Sequence, residues 1–261
     1  MTKTGKQLLI LGGTADGRHI AGALHDKGCS VIYSVAGLVR RPDLACEIVS
    51  GGFTQFGGLT PYIKSTAIGA ILDVTHPYAQ TMSNTAAKSA QECDVPYWRF
   101  HRLPWLPEQQ DHWQFYKDWS ELLVDLQGKK SVFLTAGQLP VFVIEILAEY
   151  GKQGQQQILR TAVKPKNALP ASMTWHKAIG PFSLENEQQI LEEYQVDALV
   201  SKNSGGASTQ AKLFAARERG VPVLMFTRPE LVATEQEFSD KHACQTYVEH
   251  WFNMSKKMIR D

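Results

Sequence analysis

Apolar and polar residues alternate along the chain in two different periods. Short apolar runs, such as residues 8–11 and 69–74, are typical of buried strands. Longer segments follow them, in which apolar residues recur at helical spacing, as Ala79, Met82 and Ala86 do. This alternation predicts βαβ units, in which parallel strands are connected by helices that cover the sheet.

The alternation occurs twice, on either side of an interruption. The first set of predicted strands covers residues 8–11, 30–34, 47–50, 69–74 and 96–100, and the helices between them cover 16–27, 59–66 and 78–92. Residues 101–119 are rich in Trp, Pro, His and Gln and interrupt the pattern. The second set contains strands at 131–135, 157–163, 198–201 and 222–226 and helices at 140–150, 184–194 and 207–219.

These patterns predict an α/β fold made of two Rossmann-like parallel-sheet halves with an interdomain cleft. We place an N-terminal, dinucleotide-binding domain at residues 1–125 and a C-terminal α/β domain at residues 126–261. One more helix is predicted over 240–254, and the sequence leaves open which half it packs against.

The composition excludes several classes of protein. The chain carries 27 Lys and Arg against 26 Asp and Glu, so its net charge of +1 gives no reason to expect nucleic-acid or membrane-surface binding. Apolar runs stay well short of the ~20 residues of a membrane helix. The four cysteines lack CxxC spacing, so we expect neither a disulfide framework nor a metal site. We therefore expect a cytoplasmic protein that acts on a small molecule.

The first candidate site follows the first predicted strand, because ligands of open parallel sheets bind beyond the carboxyl ends of strands. Gly12, Gly13 and Thr14 precede a helix, an arrangement that brings backbone N–H groups to a phosphate. The spacing Gly-Gly-x-x-x-Gly departs from the usual G-x-G-x-x-G. A tight turn that binds no ligand is therefore the alternative.

The end of the second predicted strand indicates which dinucleotide is bound. NAD sites carry an acidic residue here, whereas this chain has Ser34, followed by Arg40 and Arg41. A hydroxyl and two arginines favour a 2′-phosphate and hence NADPH over NADH, and a solvated turn before Pro42 is the alternative. The predicted cofactor-binding residues are Gly12, Gly13, Thr14, Ser34, Ala36, Gly37, Arg40, Arg41 and Thr75.

Three candidate catalytic residues follow the fourth predicted strand. Asp73, His76 and Tyr78 lie within six positions, and a histidine such as His76 can serve as a proton donor near neutral pH. The alternative is structural, since Thr75 and Pro77 suit the start of a helix. Which of the three groups donates a proton, or whether water does, is left open.

Two further turns suggest a substrate site. Residues 51–58 hold four glycines around two phenylalanines, which suits a loop that lies flat against a large planar ligand, and a mobile surface loop is the alternative. Residues 201–206, Ser-Lys-Asn-Ser-Gly-Gly, combine cationic and polar side chains in a glycine-rich turn before a helix. This turn predicts an anion pocket, with a plain capped turn as the alternative.

Six segments taken in order resemble one protein family. They are LGGTADGR (11–18), SVAG (34–37), GGFTQFGGL (51–59), DVTHPYA (73–79), YWRFHRLPW (97–105) and SKNSGG (201–206). Together with the pair Arg228-Pro229, they resemble the precorrin-6A reductases of cobalamin biosynthesis and their cobalt-precorrin-6A counterparts. The family pattern often has Gly-Gly-Phe-Gly-Gly in the third segment, where this chain inserts Thr54 and Gln55.

The resemblance implies a cytoplasmic oxidoreductase of the CH–CH group that transfers hydride from a reduced nicotinamide to C18 of a corrin macrocycle, while C19 is protonated. The substrate is expected in the cleft. Because it is a polycarboxylate, basic residues become candidate partners. The predicted substrate-binding residues are Arg18, Gly52, Gly57, Arg99, Arg102, Thr135, Lys202, Asn203, Ser204 and Gly205. The alternatives are a tetrapyrrole synthase without a redox cofactor and a non-catalytic nucleotide or tetrapyrrole sensor.

Overall fold

The computed structural model describes residues 7–37 and 42–258, except for the side chains of 255–258. It divides the chain into two compact units. Unit 1 consists of Met1–Leu103 and Pro229–Asp261, and unit 2 consists of Pro104–Arg228.

Unit 1 begins with the predicted alternation of strands and helices. Its strands are β1 (Gln7–Leu11), β2 (Val31–Val35), β3 (Glu47–Ser50), β4 (Ile68–Asp73) and β5 (Tyr97–Phe100). Its helices are α1 (Ala15–Asp26), α2 (Leu59–Ser65) and α3 (Gln80–Cys93), and Thr54–Phe56 form a short 3₁₀ turn. β1 is buried over its whole length, as the apolar run of residues 8–11 that follows Gln7 indicates.

Unit 2 has the same alternation with an extra strand and helix at its start. Its strands are β6 (Trp113–Tyr116), β7 (Ser131–Leu134), β8 (Gln156–Thr161), β9 (Met173–Lys177), β10 (Ala198–Lys202) and β11 (Val223–Phe226). Its helices are α4 (Trp119–Leu126), α5 (Val141–Lys152), α6 (Leu184–Glu193) and α7 (Ala211–Glu218). The chain then returns to unit 1 as β12 (Gln236–Phe238) and α8 (Lys241–Met258).

Five strands of each sheet share one topology. All strand pairs are parallel, in the orders β3-β2-β1-β4-β5-β12 and β9-β8-β7-β10-β11-β6. In each sheet the direction of strand addition reverses between two central strands, β1 and β4 in unit 1 and β7 and β10 in unit 2. Such a switch point is where open α/β sheets bind ligands.

In each sheet the strand that extends it next to β5 or β11 is out of sequence with the other five strands. β12 follows unit 2 in the chain and pairs with β5, whereas β6 precedes the other strands of unit 2 and pairs with β11. The boundary predicted at residue 125 therefore differs from the division of the structure. Strand pairing, rather than the position of the Trp- and Pro-rich segment, decides to which unit residues 104–125 belong.

The last helix packs on unit 1. Cys244, Val248 and Phe252 recur at helical spacing and lie in the same buried cluster as Ile20 and Leu24 of α1. The α/β fold and two Rossmann-like sheets are thus confirmed, and the cleft stays a prediction. In the described part of the chain, every helix is too short or too polar to span a membrane.

Candidate functional site

The switch point of unit 1 is closed by hydrogen bonds between the turns that follow β1 and β4. The Thr14 hydroxyl donates to the Val74 carbonyl at 2.9 Å, and the Val74 N–H donates to Leu11 O at 2.9 Å. Thr14 also accepts from Gly17 N–H at 3.0 Å and so caps α1. One threonine therefore fixes both the start of the helix and the position of the neighbouring turn.

Tyr33 lies directly beneath the glycine turn. A Cβ on Gly12 would lie 2.1 Å from Cζ of the Tyr33 ring, so only glycine fits there. The Gly13 N–H donates to the Tyr33 hydroxyl at 2.8 Å, and Gly13 itself is exposed with a φ of +109°. Burial raises the pKa of the Tyr33 hydroxyl, which keeps it protonated at neutral pH. This side chain holds the turn in a shape that presents its outer face to a ligand.

The turn after β2 continues the same edge of the sheet. Ser34 is buried, and its carbonyl accepts from the Gly12 N–H at 2.8 Å. Ala36 and Gly37 are exposed at the end of the strand. Arg40 and Arg41 lie outside the described residues, so the predicted 2′-phosphate pocket stays a prediction.

Asp73 ends β4 and is completely buried. Its Oδ1 accepts from the Thr75 N–H at 3.0 Å and the Thr75 hydroxyl at 2.7 Å. Its Oδ2 accepts from the Ser83 hydroxyl at 2.6 Å and the Tyr97 hydroxyl at 2.7 Å. With both oxygens engaged internally, this carboxylate serves to orient Thr75 at the tip of β4, and we therefore leave it out of the proton-donor candidates.

Arg99 is a second buried member of this network, with 2% of its surface exposed. Its Nη2 donates to the Val232 carbonyl at 2.9 Å and the Tyr97 hydroxyl at 3.3 Å, and its Nε lies 4.0 Å from Asp73 Oδ2. Burial, chiefly, and the Asp73 charge raise the pKa of Tyr97. Arg99 therefore ties the returning chain to β4 and β5, and its burial removes it from the candidate partners of substrate carboxylates.

His76 and Tyr78 are the members of the predicted catalytic group that reach the surface. His76 is exposed and Tyr78 half-buried. The Tyr78 N–H donates to His76 Nδ1 at 3.4 Å, and the two ring centroids are 5.6 Å apart. Both side chains thus occupy the edge of the sheet where the turn after β4 begins, and either can deliver a proton there.

A small pocket lies at this switch point. It is lined by Thr14, Asp16, Val74, Thr75, Pro77, Phe100, His101 and Arg102. Arg102 Nη1 pairs with Asp16 at 2.5 Å, and Lys241 Nζ lies 3.5 Å from the same carboxylate. Arg102 is therefore engaged by Asp16 in the first turn of α1, whereas the nearby Arg18 is exposed.

The glycine loop is folded back on α2. The rings of Phe53 and Phe56 lie 5.1 and 4.8 Å from that of Tyr62, and Gln55 Nε2 donates to the Ser50 and Gly52 carbonyls, both at 2.7 Å. The inserted Thr54 and Gln55 thus form one 3₁₀ turn that closes the loop. Gly52 is half-buried and Gly57 exposed, so both backbone positions border the surface.

The switch point of unit 2 repeats the threonine bridge of unit 1. The Thr135 hydroxyl donates to the Val200 carbonyl at 2.7 Å across β7 and β10. Lys202 Nζ lies 4.0 Å from the place that a Cβ on Gly137 would occupy, and burial lowers the pKa of Lys202. A cationic side chain thus lies over the turn after β7, as the predicted anion pocket requires.

The rest of the Ser-Lys-Asn-Ser-Gly-Gly turn is more structural than predicted. The Asn203 amide exchanges hydrogen bonds with the Trp105 backbone, accepting from its N–H at 2.8 Å and donating to its carbonyl at 2.9 Å. Ser204 is buried, and its hydroxyl lies 3.3 Å from that of Thr209. Gly205 has a φ of +67°. Asn203 therefore attaches the segment around Trp105 to the end of β10.

Lys212 was not predicted as a site residue. It lies on α7 and is buried, and its Nζ donates to the Thr135 hydroxyl at 3.1 Å. Burial, with a smaller contribution from Arg160, lowers its pKa to about 7. The available signal was a lysine among the apolar residues of a helix that faces the sheet, Leu213, Ala215 and Ala216. Tyr33 was missed because an aromatic residue in a buried strand resembles ordinary core.

The donor set of unit 1 fits a nicotinamide dinucleotide. Gly12 lets the turn pack closely against the Tyr33 ring, Gly13 is exposed, and the capped start of α1 lies at the same turn. The four phosphate and ribose positions predicted from the sequence that the structure describes, Gly12, Gly13, Thr14 and Ser34, are joined by hydrogen bonds or adjacent in the chain.

Comparison with known proteins agrees with this geometry. Residues 7–249 match the family described as "Precorrin-6x reductase CbiJ/CobK". A precorrin-6A reductase of Rhodococcus erythropolis is 37% identical over 90% of this chain and 94% of its own, and one of Mycobacterium tuberculosis is 34% identical over 93% and 97%. The solved structure titled "CobK precorrin-6A reductase" has a TM-score of 0.83 at 28% identity, covering 94% of this chain and 96% of its own. The chain therefore belongs to the precorrin-6x reductase family, whose members are oxidoreductases of cobalamin biosynthesis.

Proposed function

We propose that this protein reduces precorrin-6A to precorrin-6B with NADPH as the hydride donor. The observation that carries the proposal is the turn after β1, where the Tyr33 ring leaves no room for a Cβ at Gly12 and its hydroxyl binds Gly13 N–H. In a member of a reductase family, this shaped turn at a switch point supports a dinucleotide site. The names of the two relatives support the metal-free substrate over its cobalt form.

The proposed cofactor site follows the edge of the first sheet. Gly12, Gly13 and Thr14 approach the phosphates, while Thr75 faces the nicotinamide end from the tip of β4. Ser34, Arg40 and Arg41 hold the 2′-phosphate. This last assignment rests on residue type and position alone.

The protein contributes orientation and a proton. A bound reduced nicotinamide supplies the hydride. Asp73 accepts from the Thr75 hydroxyl and N–H and so fixes the position of Thr75, which forms the floor of the proposed nicotinamide site. His76 or Tyr78 donates the proton that the ring receives at C19, because both side chains reach the surface beside that floor.

The proposed substrate-binding residues are of two kinds, basic residues and glycines without side chains. Arg18 and Lys202 bind carboxylates of the macrocycle, and the surface glycines Gly52 and Gly57 lie along its face. Thr135, Ser204 and Gly205 complete the anion pocket of unit 2. Arg102 is paired with Asp16, so any contact that it makes with a substrate carboxylate is shared with this ion pair. A cytoplasmic location stays a prediction.

The decisive experiment follows NADPH absorbance at 340 nm after mixing the protein with precorrin-6A without oxygen, and identifies the product by mass spectrometry. Oxidation of NADPH with a product two hydrogens heavier supports the proposal. Binding without oxidation indicates a sensor, and a macrocycle change independent of NADPH indicates a synthase. A parallel reaction with cobalt-precorrin-6A decides which macrocycle is preferred.

Cofactor choice has its own test. We expect NADPH to bind at least tenfold more tightly than NADH, because two arginines form charge-assisted bonds with the extra phosphate. The double variant R40A/R41A loses this preference while its affinity for NADH stays unchanged, which makes NADH the internal control. Equal affinities of the unaltered protein for both dinucleotides would remove the argument for a 2′-phosphate pocket.

A further inference from the structure

We propose that the turn of residues 135–137 in unit 2 binds a carboxylate group of the substrate, with Lys212 as its buried counter-charge and Lys202 at its rim. The inference rests on the proposed function, which makes the substrate a polycarboxylate, and adds to its anion pocket the residue Lys212 and a coupled protonation. The turn follows β7 at the switch point of the second sheet, the position that the glycine turn occupies in the first.

Two lysines converge on this turn from different elements. Lys202 ends β10, and its Nζ lies 4.0 Å from the Cβ position at Gly137. Lys212 reaches the turn from α7, and its Nζ donates to the Thr135 hydroxyl at 3.1 Å. Because the Thr135 hydroxyl gives its proton to Val200 O, its oxygen accepts from Lys212. A negative charge placed beside Thr135 and Gly137 would face both ammonium groups.

The surroundings of Lys212 leave its charge poorly compensated. Its Nζ lies 5.7 Å from the centroid of the Trp105 ring, and Arg160 on β8 opposes its charge. Glu187 on α6 is the acidic group that acts on it, but this carboxylate is already paired with Arg160. Among the residues described, no carboxylate lies within 4 Å of Lys212 Nζ. Burying a cation in this way is costly, and an anionic ligand offsets the cost.

Anion binding is therefore coupled to protonation of Lys212. Burial lowers the pKa of Lys212 to about 7, so near neutral pH about half of the molecules carry the proton. A carboxylate at the turn favours the charged form, and the protein takes up a proton on binding. A lysine with a purely structural role would not produce this uptake.

The test uses calorimetric titration of the whole protein with cobyrinic acid, a corrin that carries free carboxylates, near pH 7. Titrations in HEPES and in Tris, which differ in ionisation enthalpy, give the number of protons taken up. We expect about half a proton per ligand bound. K212M takes up none and binds about tenfold more weakly, since a bond to a charged group is lost. K212R binds nearly as the unaltered protein does but takes up no proton, because arginine stays charged.

Two controls separate the site from general effects. K152M removes an exposed lysine of the same unit that pairs with Glu149, and leaves affinity and proton uptake unchanged. Cobinamide, in which amides replace the carboxylates, binds without proton uptake. Circular dichroism identifies any variant that does not fold, and K212M replaces a buried cation by an apolar group of similar length, so we expect it to fold.

Absence of proton uptake by the unaltered protein, or equal uptake by K212M, overturns the inference, and so does failure of cobyrinic acid to bind. None of these results decides the proposed function, because NADPH oxidation with precorrin-6A is measured separately. Turnover together with unchanged K212M binding would leave the reductase standing and the carboxylate site refuted.

Discussion

Replacing Asp73 by Asn should destabilise unit 1 strongly. Asp73 accepts four hydrogen bonds, two at each carboxylate oxygen, and Arg99 Nε lies 4.0 Å away in an equally buried position. In the D73N variant one oxygen becomes an NH₂ group, which cannot accept. The two donors to that oxygen lose their acceptor, any hydroxyl among them must turn its proton elsewhere, and Arg99 loses its buried counter-charge.

The magnitude follows from these losses. Each bond to a charged group contributes about 1.5–3 kcal/mol, and breaking a buried ion pair by removing one partner costs about 3–5 kcal/mol. Because the two effects share atoms, we expect a loss of about 3–5 kcal/mol rather than their sum. Native proteins are stable by only about 5–15 kcal/mol, so D73N folds but with a reduced margin.

Urea unfolding followed by circular dichroism measures this loss, with D118N as the matched control. Asp118 caps α4 at an exposed position, and Asn is an equally good cap, so D118N should change stability by less than about 0.5 kcal/mol. A loss below about 1 kcal/mol in D73N would refute the account of the network. At temperatures where D73N is folded, turnover within about tenfold of normal supports an orienting role, whereas loss of a proton donor costs about 10²–10⁴-fold.

Three other substitutions test separate parts of the structure. G12A forces a Cβ into the Tyr33 ring and should lower the stability of the protein by about 1–3 kcal/mol and its affinity for NADPH at least tenfold. In the control G22A the new Cβ meets its nearest atom at 3.6 Å, so neither quantity should fall. Equal NADPH affinities of the two variants in a fluorescence titration would contradict the steric argument. H76A should slow single-turnover reduction by about 10²-fold if His76 is the donor, and near-normal rates in stopped flow would assign the proton to another group. Lys212 has a lowered pKa in the folded state, so the free-energy cost of burying its charge is full below about pH 7 and shrinks as the pH rises toward 10.5. K212M should therefore melt at a higher temperature than the unaltered protein at about pH 6.5, with a smaller difference at about pH 9.5. A difference in melting temperature that does not depend on pH, measured by calorimetry, would argue against a titrating lysine.

The sequence predicted the central strands of both sheets and the outermost strand β3, and it missed the other three outermost strands. Central strands are buried on both faces and contain an apolar run, residues 8–11 in β1 and 198–200 in β10. The missed strands β6, β9 and β12 are outermost strands with one buried residue each, so no buried apolar run marks them. Their pairing is a tertiary event, and for this reason the division into units was also misplaced.

Candidate residues were found where chain position alone determines the site. The turns after β1 and β4 were predicted because parallel strands end at one edge of a sheet. The orientation of side chains was not predictable: Arg99 points into the Asp73 network, and Asn203 holds the Trp105 backbone. Lys212 was missed because only the packed structure shows which hydroxyl its ammonium group reaches.

The return of the chain to unit 1 after unit 2 has a consequence for protein synthesis. Everything that unit 2 needs has left the ribosome once residue 228 has emerged, whereas unit 1, although translated first, stays incomplete until β12 and α8 follow. Until then the outer edge of β5 is open, and Arg99 has neither the Val232 carbonyl nor Glu237 as a partner. A chain that terminates after residue 228 would therefore carry a finished second unit and a defective first one, the half that was made earliest.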